Sequence, residues 1–136
     1  MNEGKGKKVG EWVLSGVLAV MFLFAGGFKL SGAQVAIDNF ANWGYPDWFR
    51  VVTGLIEVAA GVLVVIPRTS FLGVALILPT MVGAMLTHLV HAETRNVPLP
   101  LILFVLAAVL AYLRWPERFR RSPWDGDAGK ASRFRR

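Results

Sequence analysis

The chain has 136 residues, of which 54% are hydrophobic and 18% charged, and its mean hydropathy is +0.49. This composition excludes an ordinary soluble domain, and the length leaves room for only one domain. The net charge of +6 comes mainly from the two ends of the chain, which favours membrane orientation over nucleic-acid binding. Because cysteine is absent, disulfides, cysteine nucleophiles and thiolate metal sites are excluded. We therefore predict an integral membrane protein with no nucleic-acid partner.

The first apolar stretch covers residues 12–30 and follows a basic segment, residues 1–11, which predicts a short cytoplasmic tail. About 20 apolar residues suffice to cross a hydrocarbon core of ~30 Å. A basic start followed by small residues imitates a cleavable signal peptide. However, three further apolar stretches follow, and no A-x-A cleavage site precedes Phe28. Residues 12–30 are therefore predicted to be a retained membrane span.

A more polar stretch, residues 33–42, comes next. Ala33, Ile37 and Phe40 recur there at helical spacing, which predicts a short amphipathic helix in the plane of the membrane interface. Aromatic residues follow around Pro46, as is typical of the belt where membrane helices meet the lipid headgroups. They are Trp43, Tyr45 and Trp48. We expect this linker to lie on the membrane surface.

Three more apolar stretches predict the remaining spans, at residues 48–66, 71–90 and 97–115. The connector between the second and third spans is short, so these two spans are expected to form an antiparallel hairpin. Pro79 lies inside the third span, where proline is tolerated when neighbouring groups satisfy the freed carbonyl. Residues 116–136 are basic and rich in glycine and serine, which predicts a flexible tail. The predicted fold is an all-α, integral membrane four-helix bundle.

Basic residues are distributed unevenly around the predicted domain, residues 12–115. Twelve of the fifteen lysines and arginines lie before the first span, in the connector after the second, or at and beyond the end of the fourth. The other three, Lys29, Arg50 and Arg95, lie on the opposite side of the membrane. By the positive-inside rule, both termini are predicted to be cytoplasmic, and an even number of spans agrees with this.

One carboxylate, Glu57, lies near the midpoint of the second span. A charge at that depth costs about 2.5–3.5 kcal/mol on insertion scales, so it normally faces protein or water and indicates a functional site. Two interpretations stay open. Glu57 is either a protonatable or ligand-binding carboxylate in a polar pocket, or a structural carboxyl group bonded to a neighbouring helix.

The predicted topology brings Lys29, Glu57, His88 and His91 into the outer half of one bundle. His88 and His91 are close enough in sequence to share a helical face. Such a pair could hold a metal, relay protons or make interfacial hydrogen bonds. Because no metalloprotease or di-iron motif occurs, no metal is predicted. We assign these four residues as candidates for ligand binding or proton relay, and the catalytic residues, if any, remain unknown.

Small residues recur in the spans and let membrane helices approach closely. Helix packing is the expected role for all of these glycines: Gly26, Gly27, Gly54, Gly61, Gly73 and Gly83. Nucleotide-binding and α/β-hydrolase motifs are absent from the sequence, as is any strand pattern that would support them.

Four motifs together resemble the DoxX family of small four-helix membrane proteins. They are GGFKL (26–30), GYPDWF (44–49), GLIEVAAGVLVVIP (54–67) and MVGAMLTHLVH (81–91). The resemblance implies a four-span bundle in a bacterial or archaeal inner membrane, with Lys29, Glu57 and His88 at the family's recurring polar positions. It also implies a link to membrane redox complexes and, through related DoxD-type subunits, to thiosulfate oxidation with quinone as acceptor. The absence of cysteine argues against a catalytic role on thiosulfate.

Two functional hypotheses follow. The first is an accessory subunit of a respiratory or oxidative-stress redox system, with a pocket for a quinone or another small molecule near Lys29, Glu57 and His88. The alternative is a non-catalytic structural or assembly subunit of a larger membrane complex. Both imply contact with the lipid bilayer and with protein partners or further copies of the chain. Independent catalytic activity is not expected. A transporter is a third hypothesis, less favoured because no inverted repeat relates the two halves of the sequence.

Overall fold

The computed structural model describes residues 3–114, which form an all-α bundle. Its elements are α1 (Glu3–Leu30), α2 (Gln34–Asn42), α3 (Asp47–Val65), α4 (Ser70–Val90), a 3-10 helix (Thr94–Asn96) and α5 (Pro98–Arg114). Four helical segments are long and apolar enough to cross a membrane: α1, α3, α4, and α5 with the preceding 3-10 turn. The predicted all-α four-helix membrane bundle is thereby confirmed.

The first helix begins at Glu3, so it includes most of the segment assigned from sequence to an N-terminal tail. Extending an existing helix adds one hydrogen bond per residue, whereas starting a new helix is costly. The acidic side chain of Glu3 also lies in the first turn, where its negative charge interacts favourably with the positive end of the helix dipole and stabilises the helix. Residue 115 and the predicted basic tail, residues 116–136, lie outside the described residues.

Each long helix packs against two others, in the order α1, α3, α4, α5 and back to α1. We call the end where residues 66–69 join α3 to α4 the connector end, and the opposite end the cavity end. The largest fully buried apolar side chains lie toward the connector end. They are Leu18, Phe22, Val64, Ile77 and Leu110. The solid core therefore occupies one part of the bundle and leaves space between helices in the other.

Glycines bring α1 and α3 into backbone contact along antiparallel paths. A Cβ atom at Gly26 would lie 2.7 Å from the carbonyl oxygen of Gly54, and one at Gly61 would lie 3.2 Å from that of Ala19. Near the connector end, a Cβ atom at Gly73 would lie 2.6 Å from the backbone nitrogen of Val64. These contacts explain why small residues occur at these positions, since any side chain would separate the helices.

Gly27 and Gly83 do not follow the packing role expected for the small residues. A Cβ atom added at either position would meet nothing within 4 Å. Gly27 lies on an exposed face of α1, and Gly83 lies at the edge of a cavity between α3 and α4. Helical spacing alone does not distinguish a glycine that faces a neighbour from one that faces open space.

Candidate functional site

A cavity of about 460 Å³ lies at the cavity end of the bundle. Residues between 49 and 57 of α3 form one wall, and residues between 76 and 88 of α4 form the other. Lys29 reaches it from α1, and aromatic side chains from α2 and the following loop cover it. Three of the four candidates from sequence, Lys29, Glu57 and His88, therefore line one cavity.

The ammonium group of Lys29 donates to both carboxylate oxygens of Glu57, at 3.1 and 2.8 Å. The side chains are 20% and 5% exposed, so the pair is largely buried within the bundle. Lys29 therefore reaches Glu57 directly, without a bridging group. A paired charge avoids most of the cost that an isolated carboxylate would incur at this depth.

Helix geometry explains how two residues on different helices meet. In an α-helix each Cα–Cβ bond tilts toward the helix N-terminus. Because α1 and α3 are antiparallel, Lys29 tilts toward the connector end and Glu57 tilts toward the cavity end. The backbone contact between Gly26 and Gly54, one turn from each charged residue, brings the axes close enough for the side chains to meet.

The C-terminus of α2 places aromatic side chains over the cavity. Gly44, with φ of 77°, ends this helix in a Schellman motif, in which the Tyr45 amide donates to the Phe40 carbonyl at 2.9 Å. The motif packs the rings of Phe40 and Tyr45 together, with their centroids 6.1 Å apart. Two more rings complete the cluster: the centroid of Trp43 lies 5.3 Å from that of Phe40, and the centroid of Phe49 lies 4.9 Å from that of Tyr45.

A second Schellman motif ends α4 and places a carboxylate beside His88. The Glu93 amide donates to the His88 carbonyl at 2.7 Å, and Ala92 between the helix and Glu93 has φ of 57°. The Nδ1 atom of His88 lies 2.7 Å from one oxygen of Glu93, and the indole nitrogen of Trp43 donates to the other at 3.1 Å. These hydrogen bonds, from His88 and then Trp43, lower the pKa of Glu93. An ionised Glu93 only accepts hydrogen bonds, so Nδ1 of His88 carries the proton of this one.

A hydroxyl pair closes the cavity between the α2–α3 loop and α4. The hydroxyl oxygens of Tyr45 and Thr87 lie 2.9 Å apart. Thr87 also donates to the carbonyl of Gly83 at 2.9 Å, so its single proton is used and Tyr45 is the donor of the pair. The two hydroxyls therefore fix the position of the Tyr45 ring.

His91 does not join the site. Its Nδ1 atom lies 2.8 Å from the carbonyl oxygen of Thr87 in its own helix, and its side chain does not line the cavity. His88 bonds instead to Glu93. Within residues 3–114, no group of three histidine or acidic side chains is placed to hold a metal ion.

Two arginines that the sequence offered only as topology signals have specific roles. Arg50 is 5% exposed; it donates to the carbonyl of Lys29 at the end of α1 and to the Asp47 carboxylate at 2.8 and 3.1 Å. The bond to the Lys29 carbonyl satisfies one of the backbone acceptors left free at the C-terminal end of α1. The spacing of Asp47 and Arg50, three residues apart on one helix, was the signal available in the sequence.

Arg114 ties all four long helices together at the connector end. Its guanidinium donates to the Val64 carbonyl at 3.0 Å, to the Ser70 hydroxyl at 2.7 Å and to the Ser15 hydroxyl at 3.2 Å. Glu11 lies 3.8 Å from its Nε atom. This network is separate from the cavity and serves the bundle rather than a ligand.

Comparison with known proteins agrees with the motifs. The DoxX-like family matches residues 13–110, which include all the cavity-lining residues. The uncharacterized protein YdgD of Bacillus subtilis (strain 168) is 30% identical over 80 residues, covering 56% of this chain and 70% of that protein. No solved structure matches the chain. The resemblance seen in the sequence is confirmed, and this multi-pass membrane protein belongs to the DoxX-like family.

Proposed function

We propose that the chain binds a quinone or a similar small molecule in the cavity and acts as an accessory subunit of a membrane redox system. The buried pair of Lys29 and Glu57 in an apolar cavity carries this proposal. An ammonium group has three protons, and Lys29 uses two on Glu57, so one remains for a ligand carbonyl. Small-molecule sites are typically apolar, with a few polar anchors, and have volumes of about 300–1,000 Å³.

The walls of the cavity suit a planar ring. The ring centroids of Phe40, Trp43, Tyr45 and Phe49 lie 4.9 to 6.5 Å apart in the contacting pairs, and the rings are inclined to one another. Aromatic groups prefer offset or edge contacts at such distances. A quinone would thus place its ring against this cluster and one carbonyl oxygen toward Lys29, while His88 offers a second polar group beside Trp43.

The setting belongs to the same proposal. We place the protein in a bacterial or archaeal inner membrane with both termini in the cytoplasm and the cavity end outside, as the distribution of basic residues favours. The cysteine-free chain allows a simple test by single-cysteine labelling. Arg95→Cys should react with an impermeant maleimide from outside, and Arg68→Cys only after the membrane is opened. The reverse pattern would contradict the orientation.

Quinone binding is tested with the purified protein and a water-soluble benzoquinone, which quenches tryptophan fluorescence. The double variant Lys29→Met/Glu57→Leu removes both charges, so that neither is left buried alone. A hydrogen bond to a charged group contributes about 1.5–3 kcal/mol, so the affinity should fall roughly 10- to 100-fold. The control Lys8→Met changes an exposed lysine of α1 and should bind as the wild type does. Absence of binding to the wild type contradicts the proposal.

The redox role is tested in membranes of the host. Deletion of the gene should slow quinone reduction by the associated system, and the wild-type gene should restore it. Complementation with Lys29→Met/Glu57→Leu should fail despite normal abundance of the protein. Full restoration by this variant would show that the charged pair has no part in the redox function.

A structural or assembly subunit is the second candidate function, and the Arg114 network supports it. A guanidinium that joins four helices makes the bundle rigid without contributing to the cavity. In that case, purification in mild detergent should recover a stoichiometric protein partner or further copies of the chain. The same complex should form with Lys29→Met/Glu57→Leu, whereas its loss in that variant would favour the ligand-binding function.

A further inference from the structure

The cavity is bounded by two helices that separate from one end of the bundle to the other. Near the connector end, α3 and α4 are in backbone contact at Val64 and Gly73, where a Cβ atom would lie only 2.6 Å from the neighbouring backbone. Toward the cavity end, residues 49–57 and 76–88 stand on opposite sides of the cavity. The two helices therefore form a V that is closed at the connector and open at the other end.

The open side of this V faces the bilayer. Val52 on α3 is 40% exposed, and Pro79 and Gly83 on α4 are exposed as well, although all three line the cavity. At ~1.5 Å per residue, Pro79 lies ~16 Å along the helix from Val90, near the middle of a hydrocarbon core ~30 Å thick. The gap between α3 and α4 thus opens at the depth of lipid tails rather than headgroups.

The aqueous end of the cavity is covered. Tyr45 and Thr87 are joined by a hydrogen bond of 2.9 Å from the α2–α3 loop to α4. The indole of Trp43 is held by Glu93 at 3.1 Å, and its ring lies edge-on to His88 with centroids 5.4 Å apart. A ligand coming from water would have to displace this aromatic cover, whereas one coming from the bilayer would pass apolar side chains, a glycine and two threonines, Thr53 and Thr80, whose hydroxyls bond to carbonyls of their own helices.

We propose that the ligand reaches the cavity sideways from the bilayer, through the gap between α3 and α4, and keeps an apolar tail in that gap when bound. This inference rests on the proposed function and specifies its ligand class: a membrane-dissolved amphiphile with a planar polar head and an alkyl or isoprenoid tail. The head lies toward Lys29 and Glu57, and the tail crosses Gly83 and leaves between Val52 and Pro79. Gly83 is suited to this passage because its Cα carries no side chain and has open space beside it.

The gap can be filled from one position. Gly83→Leu places a branched side chain in the path of the tail, and Gly27→Leu is the matched control, because Gly27 is an exposed span glycine with equally open surroundings but no contact with the cavity. Binding is measured in proteoliposomes with two probes, a water-soluble benzoquinone without a tail and a decyl-substituted benzoquinone. Excluding a few methylene groups from apolar contact should weaken binding of the decyl compound by about ten-fold or more.

The expected result is that Gly83→Leu loses affinity for the decyl compound but binds the tail-less compound within about two-fold of the wild type. Gly27→Leu should bind both as the wild type does. Val52→Phe fills the gap from the other helix and should repeat the effect, which guards against misfolding of one variant. Unchanged binding of the decyl compound by both gap variants would overturn the side route but leave the proposed function intact.

The remaining outcomes are also decisive. Equal loss of both probes in Gly83→Leu would place residue 83 against the head of the ligand and overturn the tail position. A change of oligomeric state in Gly83→Leu, seen by native mass spectrometry, would mean that a second copy covers the gap, which also overturns the proposal. Failure of the wild type to bind either probe would contradict the proposed function itself and the side route with it.

Discussion

Gly26 and Gly54 lie in backbone contact between α1 and α3, and each precedes one member of the buried ion pair by a single helical turn. The contact sets the separation of the helix axes at the level where Lys29 and Glu57 point toward each other. The ion pair therefore requires glycine at both contact positions as well as the two charged side chains.

Substitution at this contact should destabilise the bundle. In Gly26→Ala the new methyl group would lie 2.7 Å from a backbone oxygen of α3, so the helices must separate. We expect a loss of roughly 1–3 kcal/mol, as is typical of overpacked interiors. The matched control Gly27→Ala points into open space and should be neutral or stabilising by up to ~1 kcal/mol, because alanine favours helix over glycine. Unfolding in detergent, followed by circular dichroism, measures both, and equal effects would contradict the assignment.

Removing one charge of the ion pair should cost more than removing both. Lys29→Met leaves Glu57 buried without a partner, which should destabilise the protein by about 3–5 kcal/mol. In Lys29→Met/Glu57→Leu no charge remains, so the stability should return to within ~1 kcal/mol of the wild type or exceed it. The same unfolding measurement applies. A double variant as unstable as the single one would show that the pair itself, and not the avoidance of a lone charge, holds α1 to α3.

Acid should loosen the cover of the cavity through Glu93. The folded-state pKa of Glu93 is below its ordinary value of 4.5, chiefly because of the His88 hydrogen bond and then that of Trp43. The stabilisation is therefore complete above pH 4.5 and is lost as the pH falls through the lowered folded-state value. Thermal stability should decline over this acid range in the wild type. Glu93→Gln should start lower and decline less, and parallel pH profiles of the two proteins would contradict this role.

Ala92 occupies a backbone conformation that suits glycine. Its φ of 57° lies in the left-handed region, at the position of a Schellman motif where glycine is usual. Ala92→Gly should therefore stabilise the protein by about 0.5–1 kcal/mol, after allowance for the greater freedom of glycine in the unfolded chain. Ala75→Gly, on an exposed face inside α4, is the opposite case and should destabilise by ~1 kcal/mol. Effects of the same sign would show that the turn is not strained.

Much of the architecture was predictable from local patterns. The four apolar segments and the interfacial position of charged residues follow from hydropathy, which depends on each residue and its near neighbours. Lys29, Glu57 and His88 were found because polar side chains are rare in apolar spans. The start of α1 at Glu3 was missed, since helix extension needs no apolar periodicity.

Other features depend on how helices cross. Trp43 and Tyr45 carry the same sequence signal as Trp48, yet the first two cover the cavity, while Trp48 is 65% exposed. Gly54 and Gly83 look alike in sequence, but one faces a backbone and the other a gap. The turn after α2, with its Schellman motif, decides which aromatic residue points inward.

Lys29 and Glu57 show what residue identity reveals and what depends on helix packing. Residue identity alone shows that a cation and a carboxylate lie within apolar spans, because charged groups are costly in a bilayer and therefore rare there. The packing of the helices sets their direct bond, the separate position of His91 and the opening of the cavity between α3 and α4. Hydropathy is a property of one segment, whereas a contact depends on the distance and angle between two helices, and these are set by glycine contacts and turns elsewhere in the chain.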